Sequence, residues 1–145
     1  MNMGSQQTDE VARALLLCMG LLRRRLRQAG VTGGLSFPET VALGRLDRGG
    51  PATAADLARQ EQISPQSMGA TLSELESREL VSRQPDPTDG RRILLSISAA
   101  GRRELNRRRN ARIEQLAEGL SGFTETELEQ LALAAPLIER LAYHL

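Results

Sequence analysis

A nucleophilic or acid–base enzyme needs a reactive side chain held beside a partner that moves its proton. This chain has one cysteine, Cys18, one histidine, His144, and no lysine. The two stand at opposite ends of the sequence, and the penultimate His144 has no neighbour suited to metal binding or proton transfer. The residue types therefore predict no catalytic centre, no metal and no cofactor. Guanidinium chemistry is what the chain holds in quantity, since all nineteen basic residues are Arg. A formal net charge of +1 hides how unevenly they are spread. Residues 1–77 carry eight Arg against eight Asp and Glu; residues 78–112 carry ten Arg against Glu79, Asp86, Asp89 and Glu104, a net of +6; residues 113–145 carry six Glu against Arg140, a net of −5. A basic block of that kind is where a polyanion would bind.

Elements must hold those arginines in place. At 145 residues the chain has the usual size of one domain, and its apolar mass is almost all Leu, Ala, Val and Ile with 2% aromatics, which predicts a mostly helical fold. Val11, Leu15, Cys18, Leu22 and Leu26 recur at helical spacing over residues 8–29, with Gly30 and the Gly-rich run 31–34 as the stop. Leu16, Leu17, Met19 and Leu21 add a second apolar face, so this helix wants two partners, one of them a second subunit. Ser36 with Glu39 is a capping box opening a helix that ends near Gly49. Thr53 starts a short third helix, and Ser64 with Pro65 starts a fourth running to about Glu79 with Met68, Leu72 and Leu75 inward. Two helices so closely joined are a helix-turn-helix pattern. Leu80 to Arg83 and the alternating run from Arg91 to Ser98, with Ile93, Leu95 and Ile97 on one side, flank the turn-forming QPDPTDG and predict a β-hairpin. Ser98 then caps a long helix through Leu105, Ile113, Leu116 and Leu120, and Thr124 with Glu127 caps a last helix bearing Leu128, Leu131, Ala135, Ile138 and Leu145, with a kink expected at Pro136.

A single thiol excludes an intrachain disulfide, and the opening MNMGSQQTDE has no basic stretch ahead of an apolar run. The apolar residues 14–22 fall far short of the roughly 20 needed to span a bilayer. A soluble cytoplasmic protein with no membrane partner is the expectation.

The order of elements, and above all the segment SPQSMGATLSELESRELVSRQPDPTDGRRILLSISAAG, resembles the MarR family, and the likeness covers essentially the whole chain. It implies a winged helix-turn-helix that is mostly α with a small β-hairpin wing: one domain over residues 1–145, a DNA-binding lobe over 36–97, and dimerisation helices over 8–29 and 98–145. The family's Asp-x-Arg wing motif is matched by Asp89, Gly90 and Arg91. The resemblance further implies a homodimer whose first and last helices interlock, here through Val11, Leu15, Leu22, Leu128, Leu131, Ala135 and Ile138. Two lobes would then straddle double-stranded DNA at an inverted repeat, and a small, often aromatic anion in a cleft between dimer helices and lobe would act as effector. The function so implied is a transcription regulator, a repressor, and no enzyme.

If the helix from Ser64 enters the major groove, its first two turns reach deepest, which nominates Gln66, Ser67, Ala70 and Thr71 as outward residues. Gln66 leads, because a carboxamide pairs bidentately with adenine, while Ser64 combines capping with a phosphate contact. Arg91 on the wing suits a narrow, strongly negative minor groove, with Asp89 orienting it and Arg92 its neighbour by charge. Arg59, Arg78 and Arg83 are phosphate candidates. The cluster Arg102, Arg103, Arg107, Arg108, Arg109 and Arg112 stays open between DNA contact and a solvated face. Two alternatives of the same fold stand beside this reading. One is a redox regulator sensing through Cys18, although the tyrosines such sensors use are reduced here to Tyr143 and Cys18 also fits the apolar stripe as a buried, inert thiol. The other is a winged-helix module that binds protein and not DNA.

Overall fold

The computed structural model describes residues 3–28 and 34–145. Among these residues the chain forms six helices and one hairpin: α1 (Met3–Gln28), α2 (Phe37–Gly49), α3 (Ala54–Gln60), α4 (Pro65–Ser77), β1 (Val81–Pro85), β2 (Ile93–Ile97), α5 (Ala99–Leu120) and α6 (Glu125–Ala142). They divide into two compact units, Met1–Asn110 and Ala111–Leu145. Gly30 and residues 31–33, read above as the end of the first helix, lie outside the described residues.

Local chemistry fixes most of the helix starts. Ser36 Oγ accepts from the Glu39 amide and Glu39 Oε2 accepts from the Ser36 amide, so both halves of the capping box form. Thr53 caps α3 through the Asp56 amide, Ser64 caps α4 through the Ser67 amide with Pro65 in the first turn, and Thr124 and Glu127 close a second capping box on α6. The first helix begins at Met3, earlier than the expected Thr8, and α6 runs unbroken with Pro136 inside it.

Two helix ends close in one way, and the first of them falls short of expectation. Helix α4 stops at Ser77, short of Glu79, because Glu79 adopts φ 57° and turns the chain. The Glu79 amide donates to Glu76 O and the Leu80 amide to Leu75 O, a Schellman closure that packs buried Leu80 against buried Leu75. Helix α3 ends the same way, with Gln62 at φ 54° and the amides of Gln62 and Ile63 donating to Arg59 O and Ala58 O. This closure is the turn between α3 and α4.

The hairpin pairs antiparallel from Val81↔Ile97 to Pro85↔Ile93. Ala52, just before α3, adds a bridge by exchanging both backbone hydrogen bonds with Leu95, at 3.1 and 2.8 Å, which ties the wing to the helix-turn-helix. Of the expected alternating side, Leu95 is buried, Ile97 half-buried and Ile93 exposed, so apolar cover fades toward the tip. The core gathers Ala42, Leu43 and Leu46 of α2, Leu57 and Ala58 of α3, Met68, Leu72 and Leu75 of α4, Leu80, Val81 and Leu95, and Leu105 of α5. At the root of the wing, Ser98 Oγ donates to Glu79 O at 2.7 Å and accepts from the Gly101 amide at 2.9 Å. A Cβ on Gly101 would lie 2.1 Å from Leu80 O, so only glycine lets α5 start this close to the hairpin.

Elsewhere, among the described residues, the apolar rows stay uncovered by their own unit. On α5 only Leu105 of the expected inward row is buried, while Ile113 and Leu116 are exposed. Helix α1 exposes Val11, Leu16, Leu17, Met19, Leu21 and Leu22, and α6 has no buried residue at all.

Candidate nucleic-acid interface

Four residues of turn, Glu61 to Ser64, separate α3 from α4 and aim the N-terminus of α4 outward. Ser64 Oγ accepts from the Ser67 amide at 3.1 Å and donates to Ser67 Oγ at 2.9 Å. With Met68, Leu72 and Leu75 packed inward, Gln66, Ala70 and Ser73 line up along the exposed face. The Gln66 carboxamide makes no hydrogen bond among the described residues and is free to read an outside partner. Thr71 is half-buried and donates its hydroxyl to Ser67 O at 3.1 Å, which leaves it less to offer than its position alone promised. Ser73, one turn beyond the candidates of the first two turns, shares this face by helical spacing from Gln66.

The wing tip is shaped by two aspartates. Asp86 Oδ1 accepts from the Thr88 amide at 2.9 Å and the Thr88 hydroxyl at 2.8 Å, and these bonds, with the Arg92 charge, hold its carboxyl below the usual range. Asp89 Oδ1 accepts from the backbone amide of Arg91 at 3.1 Å. It therefore orients the Arg91 main chain, not the guanidinium, and the exposed Arg91 side chain has no ion pair among the described residues.

Of the other candidate arginines, Arg59, Arg78, Arg83 and Arg92 are all engaged. Asp56 of α3 pairs with Arg59 and, at 3.3 Å, with Arg92, tying the residue just before β2 to α3. The Thr53 hydrogen bond first, and then the two arginines, hold the Asp56 carboxyl low. Arg83 pairs with Glu76 on the exposed side of α4, and Arg78 pairs with Glu39 at 3.0 Å. On α5, Arg102 meets Asp47 and Arg107 meets Glu104, while Arg103 and Arg109 are exposed. Beside the helix-turn-helix, Phe37, Pro38, Val41, Ile63 and Met68 line a cleft of about 280 Å³ that reaches Ser67 and Thr71, and Arg23 and Arg27 of α1 lie 5.2 and 4.6 Å from the Phe37 ring.

The proposed subunit contacts Val11, Leu15 and Leu22 stand on α1 and Leu128, Leu131, Ala135 and Ile138 on α6, none of them buried within the chain. Cys18 is exposed and not the buried thiol that its stripe suggested. Among the described residues no helix is long and apolar enough to cross a membrane, and no cluster of His, Cys, Asp and Glu is arranged to hold a metal ion.

A model of the MarR family matches residues 33–92, the span from the approach to α2 through the wing tip. The chain is 34% identical over 128 residues to the HTH-type transcriptional regulator MT0903.1 of Mycobacterium tuberculosis, covering 88% of this chain and 90% of that one. It is similar in structure to a protein of the transcriptional-regulator class from Pseudomonas aeruginosa PA01, with a TM-score of 0.82, 33% identity and coverage of 95% and 96%. A MarR family protein from Bacillus stearothermophilus shares the fold, with a TM-score of 0.77 at 20% identity over 99% of each chain.

Proposed function

The chain belongs to the MarR family of transcriptional regulators, with a DNA-binding helix-turn-helix, and on that premise we propose that it acts as a homodimeric repressor seated on an inverted-repeat operator. One observation carries the reading: a Ser64-capped helix presents the unengaged Gln66 on its free face, within a lobe whose wing presents the unpaired Arg91. Gln66 reads a base edge in the major groove, Ser64, Arg59, Arg83 and Arg92 meet phosphates, and Arg91 enters the adjoining minor groove. A dimer seated there excludes other proteins from the same stretch of DNA, so repression is its effect. The chain works where the chromosome is, in the cytoplasm. A small aromatic anion that would release the operator would meet apolar walls in the cleft beside Ser67 and Thr71, whose one charged lining residue among the described residues is Glu61 and whose Phe37 ring is approached by Arg23 and Arg27.

Selection of bound fragments from random duplexes tests this, followed by salt titration of two variants. The selected site should be an inverted repeat with half-sites roughly 10 bp apart. Arg91→Ala should weaken binding, flatten the log–log salt slope by about 0.9 for each phosphate no longer neutralised, and erase preference in the flanks. Gln66→Ala should leave the slope alone and lower discrimination at one base pair per half-site by ~1 to 3 kcal/mol. Binding of a monomer to a single asymmetric half-site would overturn the reading.

A further inference from the structure

Resting on the assignment of α4 as the helix that enters DNA, we propose that Arg78 is a positioning residue for DNA recognition: paired with Glu39, it fixes the far end of α4 against α2 and makes no contact with phosphate. Glu39 is the one buried charged residue among the described residues, 8% exposed. A single oxygen, Oε2, accepts from the Ser36 amide at 3.1 Å and from Arg78 Nη1 at 3.0 Å. The same carboxylate thus closes the start of α2 and anchors the residue that caps the end of α4.

A carboxylate so removed from water needs both partners, and taking away the guanidinium would strand it. The Arg78 charge also reaches Glu104 of α5, whose carboxyl is held low first by its hydrogen bond from Arg107 and further by the charges of Arg107 and Arg78. Arg78 therefore stands where α2, α4 and α5 share charge, within the first compact unit. It is also remote from the groove. The helix of 13 residues between Ser64 and Arg78 is about 20 Å long at 1.5 Å per residue, and the N-terminal end is the one that penetrates. Being basic and near a recognition helix made Arg78 look like a phosphate ligand; its partner gives it another task.

Wild-type protein, Glu39→Gln, Arg78→Gln and the double variant are titrated with the selected duplex across a salt series. Glu39→Gln retains the capping box, since Gln serves at that position as Glu does, and it leaves every arginine in place. If the pair positions α4, each single variant loses roughly 2- to 30-fold in affinity, the range for residues that act on a site without touching its ligand. The salt slope then stays at the wild-type value, and the double variant is no worse than either single one. If Arg78 binds phosphate, Glu39→Gln frees it and tightens binding, while Arg78→Gln flattens the slope by ~0.9; either result overturns the proposal. Should Arg78→Gln fail to fold, Glu39→Gln decides alone, because its two outcomes have opposite signs. Wild-type protein that binds no duplex overturns the DNA reading and this proposal together, whereas a binding wild type with a tighter Glu39→Gln variant overturns this proposal only.

Discussion

Asp56 holds two of the guanidinium groups that a duplex would attract, those of Arg59 and Arg92. In free protein these pairs are exposed and individually weak, but each must be broken before its arginine meets a phosphate. Asp56→Asn should therefore bind duplex DNA more tightly than wild type, with a salt slope steeper by ~0.9 for every guanidinium that then reaches phosphate. Unchanged affinity and slope in a filter-binding salt series would remove Arg59 and Arg92 from the interface. The carboxylates of Asp56 and Asp86 are both held below their ordinary range, so what they contribute to the wing and its junction is present at neutral pH and is lost as pH falls through their lowered values. That Gln66 and Arg91 stand exposed was legible from cap and motif, because the features that place them lie within a few residues. The pairings of Asp56 with Arg92 and of Glu39 with Arg78 were not, since those partners stand 36 and 39 residues away and no periodicity links them.

Among the elements, the join between hairpin and α5 leaves no room for a side chain at Gly101. Gly101→Ala would drive a methyl group into Leu80 O and to 3.0 Å from Ile97 Cγ1, and neither the strand root nor the helix start can shift without disturbing Ser98 and its two hydrogen bonds. The expected cost is about 1 to 3 kcal/mol or more, read as a lower urea midpoint with an unchanged slope. A variant as stable as wild type would mean that α5 moves freely against the wing. Helix starts were readable because Ser36, Thr53, Ser64 and Thr124 advertise themselves by side chain. The end of α4 before Glu79 was hidden, because the left-handed residue that closes it is not the glycine that usually marks a helix end, whereas the shortness of α3 was legible from the Ser64 start that follows it. The bridge from Ala52 to Leu95 was equally out of reach: a backbone pairing of one residue leaves no alternation to detect.

For the whole molecule, the uncovered apolar faces of α1 and α6 are what most calls for a second chain. An apolar row such as Leu128, Leu131, Ile138 and Leu141 with no buried member is unusual on a monomer and fits a subunit contact. Leu131→Glu combined with Ile138→Glu should yield monomers by sedimentation, because burying each such side chain is worth ~1.5 to 3 kcal/mol and symmetry doubles the effect. Those monomers should lose operator binding although no DNA contact has been altered, and a dimer that survives both changes would move the interface elsewhere. The bareness of α6 also bears on dosage. If α6 forms the proposed subunit contact, then at low copy number the amount of competent regulator grows with the square of its concentration. Operator occupancy then rises over a narrower range of expression than a monomer would give, and newly made chains that meet no companion present α6 to cellular proteases, which clear them first.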